Sequence, residues 1–312
     1  MSFKPPDNTI LKEVMVQSAL NIPVNSAEIS LANFKGADFK PADPVTIELG
    51  ADGKTQKVFT GEVGAVEHAL NSIKIIAVSG VESLTRSYCE MDFENKGTGD
   101  ICKEMVANSK AAQGKIEAGI TFPRYVISGG KNIWQQLKLL SHYSGTDLYT
   151  DASDKVNFTK YKKSSGATFN YGVDILEAEK EVVVPTIDGV EVYGDSPAGQ
   201  GQSDEANFWF KKEELVGKAG KTSGTILRRS VFAARNKKLC ETIAKNLFDT
   251  SNNTATGRVL IVNGEGVGLG QTITLKDVPV KDVNGSYKVT ALKHQLNENS
   301  GFTTEILWEE KA

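Results

Sequence analysis

The chain has 312 residues, 39% of them hydrophobic, and 36 basic against 39 acidic side chains leave a formal net charge of -3. This length predicts several domains, and the charge offers no basic face for specific nucleic-acid binding. No stretch is long and apolar enough for stable membrane insertion as a helix, and MSFKPPDNTILKE lacks a signal-peptide core, so synthesis in the cytoplasm is expected.

In chain order, VMVQSALNIP (14–23) and SAEISLANF (26–34) alternate as strands do, followed by PVTIELG (44–50) with Val45, Ile47 and Leu49 on one face. A turn at Asp52-Gly53 leads into VFTGEVGAVEHAL (58–70) and then Ile73, Ile75 and Ala77. From residue 88 the texture changes. Asp100 is read as the cap of a helix over 100–110 carrying Ile101 and Met105. Asn132 caps a second helix bearing Ile133, Trp134, Leu137 and Leu140, which Gly145 ends, and a hairpin turns at 151–154. His142 lies at the C-terminal end of that helix, where a cation is favoured.

Strands resume with DILEAEKEV (174–182) and DGVEVYGD (188–195), and a polar loop then opens an excursion over 202–256. Phe208, Trp209 and Phe210 are too apolar a run for a free loop, so they belong to a core or to an intersubunit contact. A helix over 230–249 presents Leu239, Ile243 and Leu247, with Phe232 extending the stripe upstream. The chain returns at GRVLIVNGEGVGLG (257–270), continues through QTITLKD (271–277) with Ile273 and Leu275, turns at Asn284-Gly285, and ends on Phe302, Thr304, Ile306 and Trp308.

Two distant phrases match: Val63, Ala65, His68 and Leu70 align with Val289, Ala291, His294 and Leu296, each flanked by comparable strands and turns. The expected fold is therefore mainly β with α+β insertions: two related antiparallel β-barrel, tube-like domains, a small α+β domain between them, and a helix-containing insertion in the second barrel. The boundaries expected are 1–87 for the first barrel, 88–173 for the α+β domain, 174–201 and 257–312 for the second barrel, and 202–256 for the insertion.

Chemistry is sparse. Duplication of His68 and His294 favours scaffold or interface hydrogen bonding over acid–base catalysis. GEGVGLG (264–270) lacks the Lys-Ser/Thr ending of a phosphate loop and runs into a strand, so its glycines are read as a turn. Glu62 and Glu67, five apart, fall on opposite faces of a regular strand and cannot pair there as a glycosidase couple. Cys89, Cys102 and Cys240 are far apart and read as reduced thiols, and no metal-ligand spacing occurs. No catalytic residue, cofactor or metal is expected.

VFTGEV with its A-x-x-H, the module GGKNIWQQLKLLSHYSGTDLYTDASDKVNF, the strand DILEAEKEV and the terminal GQTITLKDVPVKDVNGSYKVTALKHQL together resemble the baseplate hub proteins of phage tails and related injection machines. That family includes late control D proteins and the hub-like N-terminal half of type VI secretion VgrG proteins. The resemblance implies a non-enzymatic homotrimer, a virion or injection-system component that matches a sixfold tail tube to a threefold spike around a central channel. It implies tail-tube or tube-initiator proteins and other baseplate proteins as partners. Because the sequence stops just after the last expected strand, the trimeric spike is expected to be a separate protein. A phage-borne cell-wall-degrading or carbohydrate-binding enzyme and a tail-tube initiator are the alternatives.

Overall fold

A computed structural model describes residues 10–32, 39–51, 53–195 and 214–311. The first five strands are β1 (Ile10–Ala19), β2 (Ser26–Ala32), β3 (Pro44–Ala51), β4 (Lys54–Ala69) and β5 (Ser72–Val78). Their alternation is that of half-buried strands: Val14 and Val16, Ala27, Ile29 and Leu31, Val45, Ile47 and Leu49, and Ile73, Ile75 and Ala77 meet in one core.

The chain then passes through α1 (Ser83–Arg86), β6 (Met91–Gly97), α2 (Thr98–Ala107), β7 (Ala112–Ile116), β8 (Thr121–Ile127), α3 (Ile133–Ser144), β9 (Asp147–Thr150) and β10 (Lys155–Thr159). Helix α3 is bounded as its sequence predicts. The Asn132 side chain accepts from the Gln135 N–H at 2.9 Å, the Gln135 side chain accepts in return from the Asn132 N–H, and Gly145 closes the helix at φ 63. Helix α2 begins at Thr98, so Asp100 lies within its first turn and does not cap it. The β9–β10 hairpin forms around Asp154 at φ 60. Strands β6 and β8 pair with each other and were not foreseen, because β6 buries only Phe93 in a charged segment.

The remaining elements are β11 (Ala167–Asn170), β12 (Ile175–Val182), β13 (Gly189–Gly194), β14 (Val216–Gly220), β15 (Ile226–Val231), α4 (Lys237–Ser251), β16 (Asn253–Val262), β17 (Thr272–Lys276), β18 (Gly285–Asn297) and β19 (Gly301–Lys311). Leu239, Ile243 and Leu247 of α4 are buried as expected, but the helix starts at Lys237 and leaves Phe232 outside it, 74% exposed. Phe208, Trp209 and Phe210 lie outside the described residues.

The expected pair of closed β-barrels is corrected. Nine strands run in one open ladder, β12-β16-β19-β18-β1-β2-β5-β4-β3, with β17 branching from β18 and β11 from β17. Closing the first half requires its outer strands β1 and β3 to pair. Instead β1 gives its second edge to β18 of the other half, so the hydrogen bonds that would seal one half join the two. In the second half, β17 turns its outer edge to β11, and among the described residues β12 pairs with β16 and makes one further bridge, Tyr171↔Ile175, at its start. The product is a mixed α+β fold with open sheets and two separate apolar cores along one ladder.

The strand expected at 188–195 also belongs elsewhere. β13 forms a small sheet with β14 and β15, and Val190 and Val192 are buried in the core that contains α2, α3 and α4. The second strand of the second half is instead β16, after the excursion.

Candidate functional site

Numbering strands a to e within each half shows what the repeated phrase encodes. Strands β1 to β5 are ordered a-b-e-d-c, and β12, β16, β17, β18 and β19, taken in the same way, are also ordered a-b-e-d-c. A register shift falls between Val63 and Ala65 in the β4–β5 ladder, and another between Val289 and Ala291 in β18–β19. Each marks a bulge at the same place in the phrase, with Gly64 and Thr290 as the intervening residues.

Backbone bonds around the two valines repeat as well. Val63 donates to the Asp43 carbonyl and accepts from the Ala42 N–H, both at 2.8 Å; Val289 donates to Gln271 at 2.9 Å and accepts from Gly270 at 3.0 Å. The bulge changes which side chains share a face. Glu62 and Glu67 pair across β5 with Val78 and Lys74, which alternate onto one face, so the two carboxylates lie on the same side and not on opposite sides. They remain separated by the spacing of four β5 residues, about 13 Å at roughly 3.3 Å per residue.

The cores of the two halves are filled by a reciprocal exchange. Phe59 and Gly61 on β4 correspond to Gly285 and Tyr287 on β18, because Ile47↔Phe59 and Val45↔Gly61 match Leu275↔Gly285 and Ile273↔Tyr287. A Cβ on Gly61 would lie 2.8 Å from Phe59 Cζ, and one on Gly285 would lie 2.9 Å from Tyr287 Oη. One aromatic occupies each space, entering from positions two residues apart. In the second half Tyr287 also stacks on Trp308, with ring centroids 3.8 Å apart.

The repeated histidines meet different neighbours. His294 is buried, and its Nδ1 lies 2.9 Å from Thr304 Oγ1. Burial holds the imidazole down at a pKa of about 4, so it is neutral at pH 7. His68 pairs across β5 with Ile73, which has no hydroxyl, and is exposed near the hairpin tip. Leu70 is 98% exposed, whereas Leu296 packs against the first core. His142 is also exposed; partial desolvation, Lys138 and Arg229 lower its pKa and disfavour the cation that a helix C-terminus would welcome.

The seam between the halves is built by β1 and β18, running antiparallel from Glu13↔Asn297 to Ala19↔Ala291. It places Val14 opposite Leu296 and Val16 opposite His294, and Leu20 donates to the Thr290 carbonyl at 2.8 Å. Beside it, Lys288 is 4% exposed and reaches Asp147 at 2.6 Å and Glu309 at 3.1 Å. Burial alone would lower the Lys288 pKa, but the two carboxylates raise it above the ordinary lysine value. This triad fastens β9 to the β18–β19 ladder. Asn25 adds a second attachment by donating to the Thr150 carbonyl at 2.9 Å.

The glycine run at 264–270 forms the connection between β16 and β17, with Gly264 at φ 98 and Gly270 at φ 70, as a turn requires. Cys89, Cys102 and Cys240 are free, and burial pushes the Cys102 thiol up to about 12. Among the described residues, no group of three or more His, Cys, Asp or Glu side chains is placed to hold a metal ion, and no helix is long and apolar enough to cross a membrane.

No protein-family model and no curated protein sequence matches the chain. Solved structures do. A tail protein from Neisseria meningitidis MC58 is 16% identical, with a TM-score of 0.72 over 96% of this chain and 92% of that one. The 43 kDa tail protein of prophage MuSo2 from Shewanella oneidensis is 10% identical, with a TM-score of 0.70 over 96% and 94%. A component of the E. coli type VI secretion system, itself structurally similar to T4 bacteriophage tail proteins, is 10% identical, with a TM-score of 0.65 over 99% and 75%. At such identities the likeness is one of fold, and the fold of this chain is that of phage tail and type VI secretion components.

Proposed function

We propose that the chain is a structural hub of a contractile tail or related injection machine, assembling as a homotrimer around a central channel. Its role is to adapt a sixfold tail tube to a threefold spike, with a trimeric spike, tail-tube or tube-initiator proteins and other baseplate proteins as partners. The observation that carries this reading is the shared a-b-e-d-c strand order with its matched bulge. Three chains then offer six similar modules to the tube while remaining threefold toward the spike. The fold shared with tail proteins from Neisseria and Shewanella supports the same role.

Duplication followed by divergence suits an adaptor better than an enzyme. Strand order and bulge are kept, while the histidine environment and the aromatic positions differ between halves. Phe208, Trp209 and Phe210 belong to this reading as a candidate subunit contact, and their replacement by serine is expected to weaken the trimer.

The test is the mass of the purified full-length chain by native mass spectrometry and light scattering, together with end-on views of the particle by electron microscopy. Three times the 33.7 kDa chain mass, with six similar lobes around the axis, is expected. Six chains in a sixfold ring would favour a tube initiator. A monomer at every concentration up to the hundred-micromolar range would overturn the reading, and release of soluble fragments from peptidoglycan would point to a wall-degrading enzyme.

A further inference from the structure

The seam inside the chain joins its two halves strand edge to strand edge. Strand d of the second half, β18, lays its edge along strand a of the first half, β1. The corresponding edges at the far ends of the ladder have no strand partner among the described residues. β3 pairs with β4 only as far as Glu62, so among the described residues the stretch Ala65–Ala69 is paired with β5 alone, and β12 from Glu177 onward is paired with β16 alone. Exposed apolar side chains lie on or just beyond both edges: Leu70, in the turn after β4, is 98% exposed, Val182 78% and Val184, two residues past β12, 83%. Unprotected strand edges of this kind template pairing with another chain.

We infer that the β4 edge of one chain pairs antiparallel with the β12 edge of a second copy of this chain, repeating the β18–β1 seam between subunits. The inference rests on the ring reading above and adds the strands and the register.

The register follows from equivalences already present. Matching β18–β19 to β4–β5 through their bulges sets Trp308 against Ala77, and the β16–β19 and β2–β5 ladders then set Gly257 against Ala27. Across the next ladder, Lys180 stands where Val16 stands in the first half. The internal pairs Val14↔Leu296 and Ser18↔Leu292 therefore become Ala178↔Leu70 and Val182↔Val66 between chains. The Leu20 to Thr290 backbone bond becomes one from Val184 to Gly64. Val66 thus meets Val182 on one face, and Leu70, bare in the isolated chain, is covered beside Ala178 as Leu296 is beside Val14.

The same register sets Glu67 opposite Glu181, a like-charged cross-strand pair that opposes association. It gives the inference a signed consequence. Glu181→Lys is expected to tighten subunit association roughly two- to fivefold, as one removed repulsion and one gained attraction across strands would.

Cross-linking tests the register directly. In a Cys89→Ser background, with Cys102 and Cys240 buried, the full-length chain carrying Val66→Cys and Val182→Cys is oxidised mildly and run on a non-reducing gel. Directly opposed strand positions fall within disulfide reach. Inter-chain cross-linking up to a closed three-chain species is expected for this pair and for Leu70→Cys with Ala178→Cys. Each single variant, and the shifted pair Val66→Cys with Glu181→Cys, is expected to stay largely uncross-linked. A trimer by mass whose matched pairs link no faster than the shifted pair would overturn the register while leaving the ring intact. A chain that stays monomeric would overturn both.

Discussion

Nδ1 of His294 lies 2.9 Å from Oγ1 of Thr304, and the threonine hydroxyl is itself bonded to the Asn263 carbonyl. A carbonyl accepts only, so the hydroxyl proton is committed to Asn263 and Nδ1 carries the proton that His294 donates. Charging this buried ring is disfavoured, and its folded pKa is about 4 against an ordinary 6.5. Between those values the unfolded chain binds more protons, so the contribution of His294 is full above pH 6.5 and is lost as pH falls toward 4. The slope approaches about 1.4 kcal/mol per pH unit. Urea unfolding at several pH values is expected to show this component in the native chain and not in His294→Gln; equal slopes would remove the argument.

Lys288 is held between Asp147 and Glu309 in a buried position. Lys288→Met removes the buried cation that Asp147 and Glu309 share, and is expected to cost about 3–5 kcal/mol. Adding Asp147→Asn and Glu309→Gln removes the two negative charges as well and is expected to restore part of that loss. Chemical denaturation of the single and triple variants checks the order, and a triple variant less stable than the single one contradicts it.

Gly61 leaves the space that Phe59 fills, and a Cβ there would also collide with the Val78 carbonyl oxygen. Gly61→Ala is expected to destabilise the first half by about 1–3 kcal/mol through overpacking. Thermal unfolding followed by tryptophan fluorescence and circular dichroism measures it. An unchanged midpoint would mean that the strands separate at no cost.

Asn132 satisfies the start of α3 and also donates to the Thr85 carbonyl at 3.0 Å, tying α3 to α1. Asn132→Ala is expected to cost about 1–2 kcal/mol, the upper range for a cap. Asn132→Ser, which keeps the cap but loses the reach to Thr85, is expected to fall between. Hydrogen exchange should localise the loss to the first turn of α3.

Local chemistry was legible where neighbours in sequence are neighbours in space. Asn132, Gln135 and Gly145 fix the ends of α3 within a single helix, and alternation in Ile73, Ile75 and Ala77 marks a strand with one buried face. The repeated phrase was legible too, because a bulge places its demands on a few adjacent residues and both halves keep it. The face of Glu67 was misread because alternation counts residues, and a bulge inserts one without changing the letters on either side. The exchange of Phe59 and Gly61 for Gly285 and Tyr287 hid much of the remaining likeness.

The sequence by itself determined most strands of the two halves, where α3 begins and ends, and that the chain says one thing twice. Only the tertiary structure decided what each strand edge bonds to: that β1 turns to β18 and not back to β3, and that β13 joins α4 while β16 completes the second half. The physical reason is that side-chain alternation specifies faces, whereas edge pairing is made by backbone amides and carbonyls that every residue but proline carries alike.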